Sequence, residues 1–249
     1  MAKHISDPRL IRLKKPNGEP ILSWEDWEAV YEQNPGHFVQ HRSAYSIARF
    51  MLEHGGDTYL SSRVSQLLQE PAVFHHAIPE LEIRFDAYGK GRFHDLGIYG
   101  EGKDSGKSLF VGVEAKVDEP FGEVVKDVYA RAMARQGAGV STSLPNRIED
   151  LLALHFPAKP PGMWATRYQL LYATAGTLAA GMDTSILYII VFRTPSYDPE
   201  IGKENERDFA DFMKQAGAID LKGDGTARAY KMTLGGKDLY CVYDYFDLQ

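Results

Sequence analysis

Two acidic residues and a lysine in the middle of the chain have the types and spacing that could bind a divalent cation and hydrolyse a phosphate ester. Asp95 lies in the segment 92–98, and Glu114 and Lys116 form a Glu-x-Lys triplet in the segment 111–117. Mg²⁺ is held by one or two carboxylates and completes its shell with water and phosphate oxygens. A lysine beside the ion can orient or deprotonate a water molecule and stabilise negative charge in the transition state.

Three predicted strands position these residues. Apolar and polar residues alternate in residues 81–85, 96–98 and 111–117, with turn-forming residues at 89–91 and 100–107. The pattern predicts an antiparallel meander, in which a loop over 100–107 puts Asp95 within about one residue of direct opposition to Glu114. Because side chains alternate along a strand, Glu114 and Lys116 share a face, and we expect Asp95 on that face too.

A Glu-x-Lys triplet alone is weakly specific, since Glu101, Gly102 and Lys103 form a second one within the predicted turn. An alternative is that the acids and Lys116 are the solvated face of an amphipathic hairpin, with the lysine pairing a carboxylate. Against this alternative, two acids placed opposite each other repel unless a cation lies between them. The strand-end triplet and the aspartate on the paired strand therefore favour a cation site.

The segments before the meander predict an arm followed by helices. Residues 1–22 contain several prolines and an excess of basic residues, which predicts an extended arm without a helix. Ser23 has the properties of an N-cap for a short helix, because two acidic residues follow it. Residues 43–54 and 61–69 have apolar residues at helical spacing and predict two further helices.

The segments after the meander predict a second set of helices and three more strands. The patterns favour helices over 121–135, 144–156, 166–180 and 204–216, a strand over 185–192 and a hairpin over 227–234 and 238–246. The strand 185–192 is uniformly apolar and should be central in the sheet. Small residues line one face of the helix 166–180, which predicts close packing on the sheet: Ala173, Gly176, Thr177 and Ala180.

These elements predict an α/β protein with one domain, residues 23–249, preceded by the arm 1–22. The domain divides into a helical part over 23–78, a core over 79–194, and a C-terminal helix and hairpin over 195–249. The chain has 249 residues, of which 44% are hydrophobic and 25% charged, as in ordinary globular proteins.

Composition also limits the class of protein. The chain has one cysteine and no apolar leader, and its longest strongly apolar run, 185–192, is far shorter than the roughly 20 residues of a membrane helix. We therefore expect a cytoplasmic protein without a membrane span. The net charge of -6 gives no general attraction to phosphate polymers, so nucleic-acid binding requires a local basic patch or metal ions.

Asp95, Glu114 and Lys116, in this order on these strands, resemble the motif of the PD-(D/E)XK, or restriction-endonuclease-like, nuclease superfamily. Its core consists of a helix, a three-stranded antiparallel meander, a helix and a further strand, and the predicted elements follow that order. The proline that usually precedes the aspartate is His94 here. The resemblance implies a restriction-endonuclease-like core, extended by N-terminal helices and by a C-terminal helix and β-hairpin.

The resemblance also implies a function. Asp95, Glu114 and the carbonyl of Ala115 would bind Mg²⁺, with Mn²⁺ as a substitute, and Lys116 would be the base that positions water. The expected reaction is hydrolysis of phosphodiester bonds in a nucleic acid, above all DNA. Many nucleases of this fold act as dimers, so a homodimer is one assembly that the resemblance allows.

Three segments, residues 41–46, 113–122 and 167–178, resemble a narrower, uncharacterised bacterial family that supplies no activity. In several nuclease branches of the superfamily, a glutamine on the helix after the core strands approaches the metal site. Gln169 is the matching residue and is our further candidate for catalysis, with Arg167 as a neighbour. The tyrosine usual four residues after this glutamine is replaced by Ala173, with Tyr172 one position earlier.

Two rival functions stay open from the sequence. The first is a catalytically silent module that keeps the nuclease fold and binds a protein or nucleic-acid partner, which the acidic net charge and the lack of a dominant basic helix favour. The second is a hydrolase of a smaller phosphate ester, which would use the same residues. Glu82 and Asp86, on the first predicted strand, could supply a further acid.

Overall fold

The computed structural model describes residues 11–222 and 227–248, which form one mixed sheet with helices on both faces. The strands are β1 (Arg12–Leu13), β2 (Ala72–Ile83), β3 (Arg92–Gly102), β4 (Ser108–Lys116), β5 (Thr184–Arg193), β6 (Ile219–Asp220), β7 (Arg228–Leu234) and β8 (Lys237–Asp247). The helices are α1 (Trp24–Glu28), α2 (Ser43–Glu53), α3 (Gly56–Leu68), α4 (Val125–Gly137), α5 (Leu144–His155), α6 (Tyr168–Ala179) and α7 (Pro199–Gln215).

The strands of the described residues lie in the order β1-β2-β3-β4-β5-β8-β7-β6. Strands β2, β3 and β4 form the predicted antiparallel meander, and β7 and β8 form the predicted hairpin. Strand β5 pairs in parallel with β4 on one side and with β8 on the other, and is central as its apolar sequence predicts. The α/β class is therefore confirmed as a mixed, mostly antiparallel sheet with several helices.

Two apolar cores lie between the sheet and its helices. On one face, α1 and α2 pack through Trp27 and Ile47 against strand residues such as Val113. On the other face, the helices α4 to α7 share a second buried core with β5, which includes Leu170 of α6 and Ile189 of β5. No helix in residues 11–222 and 227–248 has the length and apolarity needed to cross a membrane.

Strand β2 is longer than the sequence predicts. It begins at Ala72 rather than near residue 81, so residues 72–78 belong to the sheet and not to the helical part. A bulge between Phe74 and His76 shifts the register with β3. Such a bulge interrupts the alternation by which a strand is identified in a sequence, which explains the missing half.

Three helix starts also differ from the prediction. Helix α3 begins at Gly56 instead of 61, because the link from α2 consists of only His54 and Gly55, and Gly55 turns the chain with a left-handed φ of 62°. Helix α4 begins at Val125 instead of 121, since Gly122 has a φ of 68° and cannot continue a right-handed helix. Helix α7 begins at residue 199 instead of 204, where Asp198 caps its first turn.

The predicted arm lies partly outside the described residues, because residues 1–10 are not among them. In the remainder, β1 pairs in parallel with β2 at the edge of the sheet. Ile11, Leu13 and Ile21 are buried in the core. Residues 11–21 are therefore packed on the domain and do not form an extended arm.

Candidate active site

The candidate site lies where β3 and β4 stop pairing. Their register ends at the pair Leu96↔Val113, although both strands continue past it. One residue further along this register, Asp95 stands opposite Glu114. The Asp95 carboxylate accepts a hydrogen bond of 2.7 Å from the backbone N–H of Ala115, the middle residue of the Glu-x-Lys triplet. At the level of the triplet, a hydrogen bond to the Asp95 side chain thus takes the place of the backbone pairing between β3 and β4.

The side chains of β3 change faces at Asp95. Leu96 packs in the core beneath α2 and α3, whereas His94, two residues earlier, packs against Gly112 on the side of α6. The expectation of strict alternation is therefore wrong at this position. The interruption directs the Asp95 carboxylate toward the backbone of β4 and leaves Arg92 beneath α6.

A matching irregularity lies on β2, at Glu80. The register of β2 with β3 places Glu80 opposite Asp95. Glu80 has a φ of 51°, a left-handed conformation that is uncommon for residues other than glycine. Its carboxylate accepts a hydrogen bond of 3.0 Å from the hydroxyl of Tyr31. A third acidic side chain, which the sequence analysis missed, therefore lies at this level of the sheet.

Glu114 lies at the centre of the site, with a side chain that is only 4% exposed. Its Oε1 is 2.9 Å from Nζ of Lys116 and accepts a hydrogen bond of 2.5 Å from the amide of Gln169. Its Oε2 forms an ion pair with the guanidinium of Arg92. Two cations and one amide therefore compensate a single buried carboxylate.

Gln169, in the first turn of α6, links Glu114 and Lys116, the first and third residues of the triplet. Its Nε2 donates to Glu114, and its Oε1 accepts a hydrogen bond of 3.1 Å from Lys116. Burial lowers the pKa of Lys116, against the opposing effect of the nearby carboxylates of Glu119 and Asp95. A buried lysine with a depressed pKa gives up its proton more readily than an exposed one.

The acidic groups around Lys116 differ in how readily they hold a proton. Burial raises the pKa of Asp95, while the nearby cations and the hydrogen bond from Ala115 lower it. Burial, and then the charge of Asp95, raises the pKa of Glu80 to about 7. Burial acts in the same direction on Glu119, but the ammonium of Lys116 and hydrogen bonds hold the pKa of this carboxyl below its usual value. Carboxyl groups with such different pKa values are typical of sites that transfer protons.

Arg92 is a further residue of the site that the sequence analysis missed. Its side chain is 9% exposed, and its guanidinium lies 5.2 Å from the ring centroid of Tyr172. Gly176 makes room for it, because a Cβ at that position would lie 2.5 Å from the Cβ of Arg92. The small residues of α6 were thus a signal that the sheet carries a bulky group beneath this helix.

The other residues considered from the sequence have different partners. Arg167 does not join the pair of Gln169 and Lys116. Its guanidinium donates to two acidic residues of α7, at 2.6 and 2.5 Å, and thereby fixes α6 to α7. Glu82 accepts a hydrogen bond from a turn backbone, and Asp86 forms an ion pair with an arginine of α5.

The oxygen donors of the site fit a hard divalent cation by type, since Asp95 and Glu114 are carboxylates and Ala115 offers a carbonyl. In the described part of the chain, no three histidine, cysteine or acidic side chains are grouped so that they could hold a metal ion. A cation would therefore need water or phosphate oxygens to complete its shell. It would also compete with Arg92 for Oε2 of Glu114.

A family model for a domain of unknown function (DUF6946) matches residues 20–243. The chain belongs to this family. The DUF6946 match contains β2 to β5 and α6, which are the elements that carry the site. No curated protein and no solved structure is detectably similar to the chain. The family description carries no activity, so a function has to be inferred from the chemistry of the site.

Proposed function

We propose that this DUF6946 protein is a divalent-metal-dependent nuclease that hydrolyses phosphodiester bonds, with DNA as the expected substrate. One observation carries the proposal: Asp95, Glu114 and Lys116 meet Gln169 of α6 where the β3–β4 ladder ends. Buried ionisable groups with perturbed pKa values concentrate at functional sites, because their burial costs stability that a plain structural role does not require.

The order of the elements supports a core of the PD-(D/E)XK type. Helix α3 precedes the meander β2–β4, the helices α4 to α6 follow it, and β5 then pairs in parallel with β4. One acid lies on the second strand of the meander, an acid and a lysine lie on the third, and a glutamine lies on a later helix. This placement resembles the motif of the superfamily.

Mg²⁺, or Mn²⁺ in its place, would be held by Asp95, Glu114 and the carbonyl of Ala115. Bound there, the ion would supply a Lewis acid that activates water and offsets the charge of the phosphate. The chain itself holds the acids in place. Asp95 is oriented by the N–H of Ala115, and Glu114 is oriented by the amide of Gln169.

Lys116 would orient the attacking water and accept its proton. Its burial favours the neutral form that such a base requires, as the depressed pKa indicates. Gln169 holds the lysine 3.1 Å from its own Oε1, so the ammonium cannot swing away from the acid pair without losing this bond. Lys116 and Gln169 therefore contribute positioning as well as proton transfer.

A second function, the silent binding module, is favoured by one observation. The ion pair between Arg92 and Glu114 already neutralises the central acid without any metal ion. A protein that had lost catalysis could keep such a pair for stability alone. The two functions differ in their requirement for a cation, because a binding module has no need of a competent metal site.

The experiment that tests the proposal is a calorimetric titration of the purified protein with Mn²⁺, followed by cleavage assays on DNA and RNA. The matched variants are Asp95→Asn and Glu114→Gln, which remove the charge of each acid and keep its shape. We expect saturable Mn²⁺ binding and metal-dependent DNA cleavage, both lost in either variant. Cleavage that is unchanged in both variants contradicts the proposed site. No cleavage and no Mn²⁺ binding, even with DNA present, contradicts the proposal and favours the silent module.

A further inference from the structure

The guanidinium of Arg92 contacts the carboxylate of Glu114 at the place where a divalent cation would bind. It pairs with Oε2, while Lys116 and Gln169 occupy Oε1. Both oxygens of the central acid are therefore engaged before any ligand arrives. A cation can reach Glu114 only by taking the place of one of these groups.

Arg92 is the partner that is held least firmly by hydrogen bonds. Its Nε is buried without a hydrogen-bond partner among the described residues, and it pairs with Glu114 through one nitrogen, Nη2, and one oxygen, Oε2. An arginine carries five N–H donors in a planar fork, so a buried one normally has several acceptors. Its guanidinium also lies 5.2 Å from the ring centroid of Tyr172, a contact that satisfies no N–H group. The side chain thus occupies a space that exists because residue 176 is a glycine.

The charges of the site also disfavour a cation beside an unmoved Arg92. At the centre, the two cations Lys116 and Arg92 stand against the acids Asp95 and Glu114. The nearby carboxylate of Glu119 adds a third negative charge. Adding a divalent ion without moving a group would leave a buried excess of positive charge, which is strongly unfavourable in a poorly solvated site. Release of Arg92 from the site, or the single negative charge of a phosphodiester, would offset the one excess positive charge.

We propose that Arg92 is a substrate-binding residue that is paired with Glu114 in the unliganded protein. A divalent cation displaces it, and the released guanidinium binds the phosphate of the substrate. The proposal rests on the proposed nuclease function and names the group that recognises the phosphodiester. The planar fork of arginine matches two phosphate oxygens, which satisfies the Nε–H that lacks a partner in the unliganded protein. Cation entry and phosphate binding are then linked, because each favours the arginine position that the other needs.

The test is a Mn²⁺ titration of wild type and Arg92→Met, each with and without a phosphorothioate DNA oligonucleotide that resists cleavage. Methionine keeps much of the buried volume and removes the charge. We expect Arg92→Met to bind Mn²⁺ alone about tenfold more tightly than wild type. We expect the oligonucleotide to tighten Mn²⁺ binding about tenfold in wild type and to have no such effect in the variant. Arg84→Met, at an exposed arginine, is the control and should behave as wild type.

Equal or weaker Mn²⁺ affinity in folded Arg92→Met overturns the proposal, and so does an oligonucleotide effect that survives the substitution. If Arg92→Met does not fold, the test passes to Tyr172→Leu, which keeps the charge but removes the ring beneath the guanidinium. Tighter Mn²⁺ binding in that variant supports the exchange, and unchanged binding overturns it. The proposed function fails separately: tighter Mn²⁺ binding in Arg92→Met, with no cleavage of any nucleic acid by wild type, supports the exchange and contradicts the nuclease.

Discussion

Asp244 on β8 and Glu114 on β4 are both buried carboxylates, and β5 lies between their strands. Asp244 accepts hydrogen bonds from the hydroxyls of Tyr59 and Tyr188 at 2.8 and 2.5 Å. The guanidinium of Arg63 donates to both of its oxygens, at 3.1 and 3.2 Å. This carboxylate therefore has a set of donors that matches its acceptor capacity, and it joins α3 to the C-terminal hairpin.

Glu114 has a comparable degree of burial, but its partner Arg92 is less completely satisfied. Arg92 pairs with Oε2 through one nitrogen, while its Nε is buried without a hydrogen-bond partner among the described residues. Native proteins rarely leave buried polar groups unsatisfied unless a ligand or a function needs them. Burial of a charge therefore does not mark a site by itself, whereas incomplete satisfaction of the groups around it does.

Breaking the Asp244 network should have the largest effect on stability. Asp244→Ala removes the buried carboxylate that accepts from Arg63 and from two tyrosine hydroxyls, so we expect the free energy of unfolding to fall by about 3–5 kcal/mol. Urea denaturation followed by circular dichroism measures this loss. The control is Asp247→Ala on the same strand, where the ion pair with Arg193 is largely exposed and should contribute less than about 1 kcal/mol. Similar losses in the two variants would contradict the structural role of Asp244.

Lys116→Met should show the opposite pattern, with a large loss of activity and little loss of stability. Glu114 keeps Arg92 as its counter-ion, and the desolvation cost of the ammonium disappears. We therefore expect the free energy of unfolding to change by only about 1 kcal/mol. Cleavage of plasmid DNA with Mn²⁺ should slow by about 10²–10³-fold, because the water loses its base and the transition state loses a cation.

The chain provides a matched control for this prediction. Lys103 belongs to the second Glu-x-Lys triplet, and its side chain is exposed at the turn between β3 and β4. Lys103→Met should leave both plasmid cleavage and stability unchanged. A similar loss of cleavage in both lysine variants would indicate an effect of overall charge and would remove Lys116 from the mechanism.

Gln169→Leu should have an intermediate effect on the site. The substitution removes the amide that bridges Glu114 and Lys116, and loss of such an orienting group typically reduces metal affinity or activity by about 10–100-fold. Initial rates measured over a range of Mn²⁺ concentrations separate weaker binding from slower chemistry. Gln136→Leu, at an exposed position on α4, serves as the control. If the two variants have equal rates, Gln169 has no positioning role.

The smallest expected effect is a pH dependence of stability that originates at Glu80. Its pKa of about 7 lies above the ordinary 4.5, so the folded protein binds this proton more tightly than the unfolded chain does. The stabilisation is fully present below about pH 4.5 and is lost as the pH rises from there through about 7. Over this pH range, the free energy of unfolding of wild type should fall by about 1–2 kcal/mol relative to that of Glu80→Gln, which has no proton to lose. Unfolding curves at several pH values test this, and a constant difference between the two proteins would refute it. Glu32→Gln, at an exposed position, is the control.

The sequence predicts the parts of the fold that follow simple periods. The hairpin of β3 and β4 follows from alternating residues and a glycine-rich turn, and the central position of β5 follows from its uniform apolarity. These signals placed Asp95 opposite Glu114 in register. The contact between Gln169 and the triplet was anticipated from a family resemblance, since nothing in the spacing of α6 relates its first turn to β4.

The remaining features depend on local conformations that leave little trace in a sequence. A left-handed glutamate such as Glu80 has no residue signature, unlike a left-handed glycine. The change of faces at Asp95 puts Arg92 on the side of the sheet opposite to the one that strict alternation gives. The bulge after Phe74 hides half of β2 in the same way. Each error arises where the backbone departs from regular strand geometry, which is also where the candidate site is formed.

The position of β8 beside β5 has a consequence for synthesis of the protein on the ribosome. Until residues 237–247 have emerged, β5 has β4 as its strand neighbour on one edge and lacks its partner on the other. The contact between Tyr59 and Asp244, 185 residues apart, cannot form before then either. Long-range pairing of this kind slows folding and leaves an apolar strand edge open to other chains. We therefore expect the nascent chain to depend on chaperones until β8 emerges, and β5 to gain its second strand neighbour only after β8 is released.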